Sequence, residues 1–219
     1  MPNRRILVQR DVVLPRAVVP REWRLLVIAV EGERREYNYF SHIRSKMCTS
    51  RVKVQLLPTS YGHSQPESLL QRLQTARAES DLQSEDECWL VFDVDDRDDA
   101  RMQLICAEAN KERFRVAISN PCFELWLFLH RFNALELSDN IQQVRIEQRP
   151  QAMKAILDQK MDGYTYHSLP VGTLLEEVKS AIRRAKLGQR NSRRTYPAFP
   201  GTDVYLVIES MLEHMSSAP

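Results

Sequence analysis

Four short apolar segments, separated by stretches with helical spacing, constrain this chain more than any other feature. Residues 23–31 (WRLLVIAVE), 51–57 (RVKVQLL), 87–92 (ECWLVF) and 114–118 (FRVAI) are too short for ordinary helices. The apolar runs with β-branched residues are the pattern of strands buried on both faces, and 51–57 alternates polar with apolar. Between them, apolar residues recur at helical intervals: Tyr39, Phe40, Ile43 and Met47 after the first strand, Leu69, Leu70, Leu73 and Ala76 in 66–80, Met102, Ile105, Cys106 and Ala109 in 98–111. An unusually apolar helix, SNPCFELWLFLHRF, is expected after the fourth strand. The order β-α-β-α-β-α-β-α predicts an α/β fold, an open, mainly parallel four-stranded sheet flanked by helices. Ligands of such sheets bind beyond the carboxyl ends of the strands, so the residues just after each strand come first in a search for function.

The remainder, 134–219, has no comparable strands. Helices fit 150–160, 172–187 and 203–215, with Thr202 placed to cap the last and Asp203 favourable in its first turn. The chain divides into an N-terminal arm (1–22), an α/β domain (23–133) and a helical C-terminal region (134–219) packed on it. With 43% apolar and 27% charged residues in 219, wholesale disorder is excluded. No apolar run approaches the roughly 20 residues of a membrane span, and the N-terminus has scattered charges and no long apolar core of a signal peptide. Cys48, Cys88, Cys106 and Cys122 lie far apart in apolar surroundings, as expected of reduced packing cysteines in a cytoplasmic protein.

The formal charge of +2 hides two windows of opposite sign. In 93–99 five residues of seven are Asp, relieved only by Arg97. Asp93 and Asp95 follow the third strand, and in extended backbone side chains two apart share a face. Glu31 ends the first strand and joins them if strands one and three are neighbours. Carboxylates this crowded take up protons or bind a divalent cation, and Mg²⁺ is the natural hard ion for them. Glu36 and Glu124 are second-tier ligands, following strands one and four. Asp96, Asp98 and Asp99 read more simply as solvated surface, with Asp98 or Asp99 capping the third helix, and Glu33 as exposed. The second window, 179–194, holds seven basic residues in 16 and no acid: Lys179, Arg183, Arg184, Lys186, Arg190, Arg193 and Arg194. It reads first as a phosphate-backbone contact, because the acidic site needs a way to hold a polyanion, and after that as a solvated helix face plus loop charges or a dock for an acidic partner. His130 reads as a satisfied core residue; His63 is the one histidine on a loop near the strand carboxyl ends. No G-x-x-x-x-G-K-[ST] is present, so the chain has no P-loop of its own.

VIAVEGERREYNYF, VFDVDD, SNPCFELWLFLHRF and PGTDVYLVIESML together resemble the RloB-like proteins, from about residue 24 to the C-terminus and weakly through 134–165. Their core is similar to the Toprim fold of topoisomerases, bacterial primases and OLD-type nucleases. The resemblance places that hallmark on Glu31-Gly32 and on Asp93-Val94-Asp95, and a further Glu on Glu36, although Arg35 stands where Thr is usual. Asn120 to Trp126 matches the segment that marks RloB-like members. The resemblance implies a Toprim-like catalytic domain and a metal-dependent nuclease, with Mg²⁺ or Mn²⁺ on Glu31, Asp93, Asp95, Glu36 and Glu124. It further implies anti-phage defence with a partner ATPase of the ABC or AAA class and a nucleic-acid substrate, DNA or RNA; the lack of a long apolar run separately predicts no membrane association. No tyrosine lies in a recognisable cleavage module, so water is the expected nucleophile. Two rival readings stand beside this one. One is a non-catalytic adaptor of the same fold that works by binding its ATPase. The other is a haloacid-dehalogenase-like phosphohydrolase, whose DxD normally sits on the first strand rather than the third.

Overall fold

The computed structural model describes residues 21–59, 65–95, 97–137, 139–161, 171–188 and 195–212. The proposed arm lies almost wholly outside them; at its end the Arg21 backbone N–H donates to Gln83 Oε1 at 3.3 Å. The first strand, β1 (Arg24–Val30), has no exposed atoms from Leu26 to Val30. Such a strand needs partners on both edges and helices on both faces, and it has them. β2 (Val52–Leu57) and β3 (Glu87–Asp93) flank it, both parallel, with Ile28 opposite Leu56 on one side and Trp89 on the other. β4 (Arg115–Asn120) extends the sheet beyond β3, again parallel.

Alternate side chains divide the core into two layers. Leu26, Ile28, Val30, Trp89, Val91 and Ala117 face one way. On that side lie α1 (Arg35–Met47), α4 (Glu124–Phe128), α6 (Arg149–Lys160), α7 (Val171–Gly188) and α8 (Val204–Leu212). Val27, Ala29, Cys88, Leu90, Phe92 and Ile118 face the other way, against α2 (Pro66–Glu79) and α3 (Asp99–Lys111). Each fully buried Leu, Ile or Phe contributes roughly 1.5–3 kcal/mol. A short α5 (Asp139–Gln143) precedes α6. The C-terminal helices share the strands' own core: Met153, Leu174, Val178, Val204 and Ile208 sit in one cluster with Ile28 and Val91.

Two expectations are corrected. The sheet has five strands, not four: β5 (Gly201–Thr202) pairs antiparallel with β4, Thr202 opposite Ser119 and Gly201 opposite Asn120. Two residues give no readable strand pattern; the pairing is fixed by contacts across the fold, including Ser119 Oγ to Thr202 Oγ1 at 3.0 Å and Asn120 Nδ2 donating to the Pro197 carbonyl at 3.0 Å. The apolar helix after β4 is shorter than expected. Its α-helical part spans five residues, and the chain then continues in turns to Phe132. Leu125 to His130 are all buried, so no solvent-facing side exists to give a helical period. Thr202 does accept from the Val204 N–H at 3.3 Å at the start of α8, and Asp98 caps α3 by accepting from the Arg101 N–H at 2.8 Å.

The sheet order is β2-β1-β3-β4-β5. The chain steps from β1 to β2 on one side, then crosses to β3 on the other. This reversal makes the crevice between the carboxyl ends of β1 and β3 the topological switch point, the usual ligand position in open α/β sheets. None of the described helices is long and apolar enough to cross a membrane.

Candidate functional site

Glu31 and Asp93 stand on the two sides of that switch point. The Glu31 N–H continues the ladder onto the Val91 carbonyl at 3.0 Å, and Glu31 Oε2 accepts from the Asp93 N–H at 3.0 Å. The acid after the first strand is thus docked on the backbone of the third, as expected if the two strands were neighbours. Beyond Asp93, the Val94 N–H donates to Ser119 O at 2.8 Å and the Asp95 N–H to Pro121 O at 3.0 Å. Asp95 has φ 49°, in the left-handed region that Asp tolerates better than most residues. Asp95 therefore meets Asp93 by a turn, not by strand alternation as its spacing suggested.

Glu36 enters from the first turn of α1, where a negative charge suits the helix amino end. It is 9% exposed. Its carboxylate lies over Gly32: a Cβ there would stand 1.7 Å from Glu36 Oε2. The glycine of the Glu31-Gly32 pair thus makes room for the third carboxylate. Glu124, in the first turn of α4, is buried and ion-paired with Arg35.

The electrostatics show how closely these acids gather. Burial raises the Asp93 carboxyl well above the ordinary range, and Glu36, Asp95, Glu31 and Glu124 push it further. Glu36 is raised to about 7, by burial first and then by Glu124 and Glu31, against a lowering bond from its own N–H. Burial raises Glu31 as well, opposed by Arg97 and the Asp93 N–H. Among the described residues the Asp93 carboxylate has no hydrogen-bond or ion-pair partner.

Two cations reach the cluster that sequence reasoning did not assign to it. The Arg97 side chain, 7% exposed, pairs with Glu31 Oε1, donates to the Asp93 carbonyl and stands 3.7 Å from Asp95 Oδ2. Its place inside the acidic run was the available signal. Lys154 comes from α6. Burial lowers its ammonium, but Glu124, Cys122, Asp95 and Asp93 together hold it above its ordinary value. No local pattern links it to residues so far away in the chain. The Cys122 thiol nearby is buried and pushed up; burial also raises the half-buried Cys48 and the buried Cys88, both to about 11, and all four cysteines are free.

The described part of the basic window, Lys179 to Lys186, does not join the carboxylate cluster. Lys179 pairs with Glu176 at 3.1 Å and Lys186 with Glu209 at 2.6 Å, while Arg183 donates to Ser180 Oγ at 3.1 Å. Arg184 turns inward and donates to the Leu129 and His130 carbonyls at 2.8 and 2.7 Å, a packing role rather than an exposed phosphate contact. Lys179 shares a groove of about 750 Å³ with Trp89 and Arg115, toward the amino ends of β3 and β4. Arg190, Arg193, Arg194 and His63 lie outside the described residues. His130 is the core residue expected. Its Nδ1 bonds Trp126 O at 3.0 Å, which leaves Nε2 to accept from Tyr39 Oη at 3.1 Å.

The donor set suits a hard divalent cation: carboxylates only, in excess over the cations beside them. Asp93 and Glu36 stand in no ion pair among the described residues, whereas Asp95 shares Arg97 with Glu31. Among the described residues no three carboxylates, thiols or imidazoles already stand as a finished ligand set. Both Glu31 oxygens are engaged, one by the Asp93 N–H and one by Arg97. The residues fit the ion in chemistry, with Glu31 at present paired to Arg97.

Fold and site define an open α/β protein with a carboxylate cluster at its switch point. Within that class the chain belongs to the RloB-like family: the family described as RloB-like protein matches residues 26–211, which take in Glu31, Glu36, Asp93, Asp95 and Glu124. No curated protein and no solved structure matches the chain.

Proposed function

We propose that this protein is a metal-dependent nuclease that hydrolyses phosphodiesters at the carboxylates of β1 and β3. The supporting observation is the convergence of Glu31, Glu36, Asp93 and Asp95 on the switch-point crevice, where burial first and then their mutual repulsion raise Asp93 and Glu36. Asp93, Asp95 and Glu36, with Glu31 once it is released, would hold Mg²⁺ or Mn²⁺, with Glu124 as a further candidate. Such an ion supplies Lewis-acid polarisation of a phosphodiester and lowers the pKa of an attacking water. The chain's own part is to hold the acids close, with Glu36 and Asp93 largely out of water. Gly32 admits Glu36, the turn at Asp95 keeps its carboxylate within electrostatic reach of Asp93, and Lys154 brings positive charge to the same acids. Action in prokaryotic anti-phage defence with a partner ATPase of the ABC or AAA class is proposed on the family resemblance.

The Arg97–Glu31 pair favours one second reading. A guanidinium already neutralises the central acid, as a non-catalytic adaptor would allow. Cleavage of supercoiled plasmid, single-stranded DNA and tRNA in Mg²⁺ or Mn²⁺, by wild type and Asp93→Ala, separates the two. A nuclease predicts metal-dependent cutting that the variant loses. Equal activity in both proteins removes the assignment at this site, and no cutting by either, with the ATPase present, favours the adaptor.

A further inference from the structure

Arg97 is placed as a counter-ion rather than as a surface charge. Its backbone N–H donates to Val94 O at 2.9 Å, so the main chain is tied into the turn at Asp95. From there the guanidinium spans Glu31, the Asp93 carbonyl and Asp95. An arginine does not give up its proton in a protein, so it leaves such a pair only by moving. It also cannot coordinate: it offers N–H donors where a metal offers empty orbitals. While Arg97 is in place, one Glu31 oxygen is held in its ion pair and the other by the Asp93 N–H, and the guanidinium's charge opposes a cation at that carboxylate.

We propose that Arg97 is the resident counter-ion of this site, and that a divalent cation gains Glu31 only by displacing it. The inference rests on the metal-centre reading above. It makes Arg97 a positioning residue that sets metal affinity. A guanidinium displaced from Glu31 keeps its planar fork of donors beside the same crevice, where a phosphate oxygen is the matching acceptor. Metal entry and the appearance of an anion-binding group then become one event.

The test is Mn²⁺ titration by calorimetry on the full chain, as wild type, Arg97→Gln, Glu31→Gln and the double variant, with circular dichroism to check folding. Removal of a charge-assisted competitor predicts that Arg97→Gln binds Mn²⁺ about tenfold more tightly. The gain vanishes in the Glu31→Gln background, because the two residues act through one contact. Arg97→Lys, which keeps the charge without the fork, gains less, and it serves if Arg97→Gln does not fold. Wild-type binding with no gain in a folded Arg97 variant, or the same gain without Glu31, overturns the proposal and leaves the metal centre standing. Absence of Mn²⁺ binding in every protein overturns both.

Discussion

Glu36 and His130 are both deep in the protein, and burial acts on them with opposite signs. Glu36 is held near 7 in the fold against an ordinary value of 4.5. The folded state favours its neutral form, so stability is lost as pH rises from about 4.5 through about 7, by roughly 3 kcal/mol when complete. His130 is lowered to about 4 from 6.5, by burial first. Its contribution is full above the unfolded value and lost as pH falls through that window. In wild type the two trends offset. Glu36→Gln removes one of them: in chelator, its stability relative to wild type should rise by roughly 2 kcal/mol between pH 5 and pH 7.5. Urea melts at the two pH values check this, and parallel pH dependences would show that Glu36 is charged and well solvated. Gly32→Ala tests the same carboxylate from the other side. The new methyl collides with the end of a flexible side chain, so the fold should survive with a small shift in Tm while Glu36 is displaced. Mn²⁺ affinity, read by calorimetry, should fall. Glu31 and Asp93 were legible in the sequence because each ends a buried strand, where an unpartnered charge is costly. The tie between Arg97 and Glu31 was not, since it spans 66 residues and depends on β1 lying beside β3.

α7 shows how a charge run divides once a helix is packed. Val178, Ala181 and Ala185 face the core, Arg183 and Lys186 face solvent, and Arg184 falls between and reaches the turn after α4. That turn leaves carbonyls without helical partners, and Arg184 supplies two charge-assisted donors. Arg184→Ala should cost about 2 kcal/mol in chemical denaturation, while Arg183→Ala stays within about 0.5 kcal/mol. Equal effects would return Arg184 to the surface face. The four parallel strands were readable because each is a compact apolar run, and α1, α2 and α3 because one face of each is wet and gives a period. β5 and the shortness of α4 were not readable, for the opposite reason: one is two residues long and the other has no wet face. Sequence spacing likewise could not separate Arg184 from its neighbours, because they are adjacent in the chain and differ only in where the helix points them.

A polyanion approaching this molecule meets little net attraction from afar, since the net charge is only +2. At the switch-point crevice it meets Glu31, Glu36, Asp93, Asp95 and Glu124, offset by Arg35, Arg97 and Lys154. Along α7, two of the described cations are already paired with Glu176 and Glu209. Nucleic acid should therefore bind weakly without a divalent ion and more tightly with one, because the ion reverses the sign of the crevice. Asp93→Asn should show both halves of this argument. Without metal it removes repulsion and binds as well as wild type or better; with Mn²⁺ it loses most of the metal-induced gain. Lys179→Ala with Lys186→Ala should change the salt slope by clearly less than the two contacts of a free basic pair, because each lysine displaces a protein carboxylate rather than condensed counter-ions alone. Fluorescence anisotropy of a labelled single strand over a series of salt concentrations, with and without Mn²⁺, reads all three outcomes. Metal-independent binding combined with a full two-contact loss of slope would move the nucleic-acid surface to α7, and with it the amino ends of β3 and β4, away from the carboxylates.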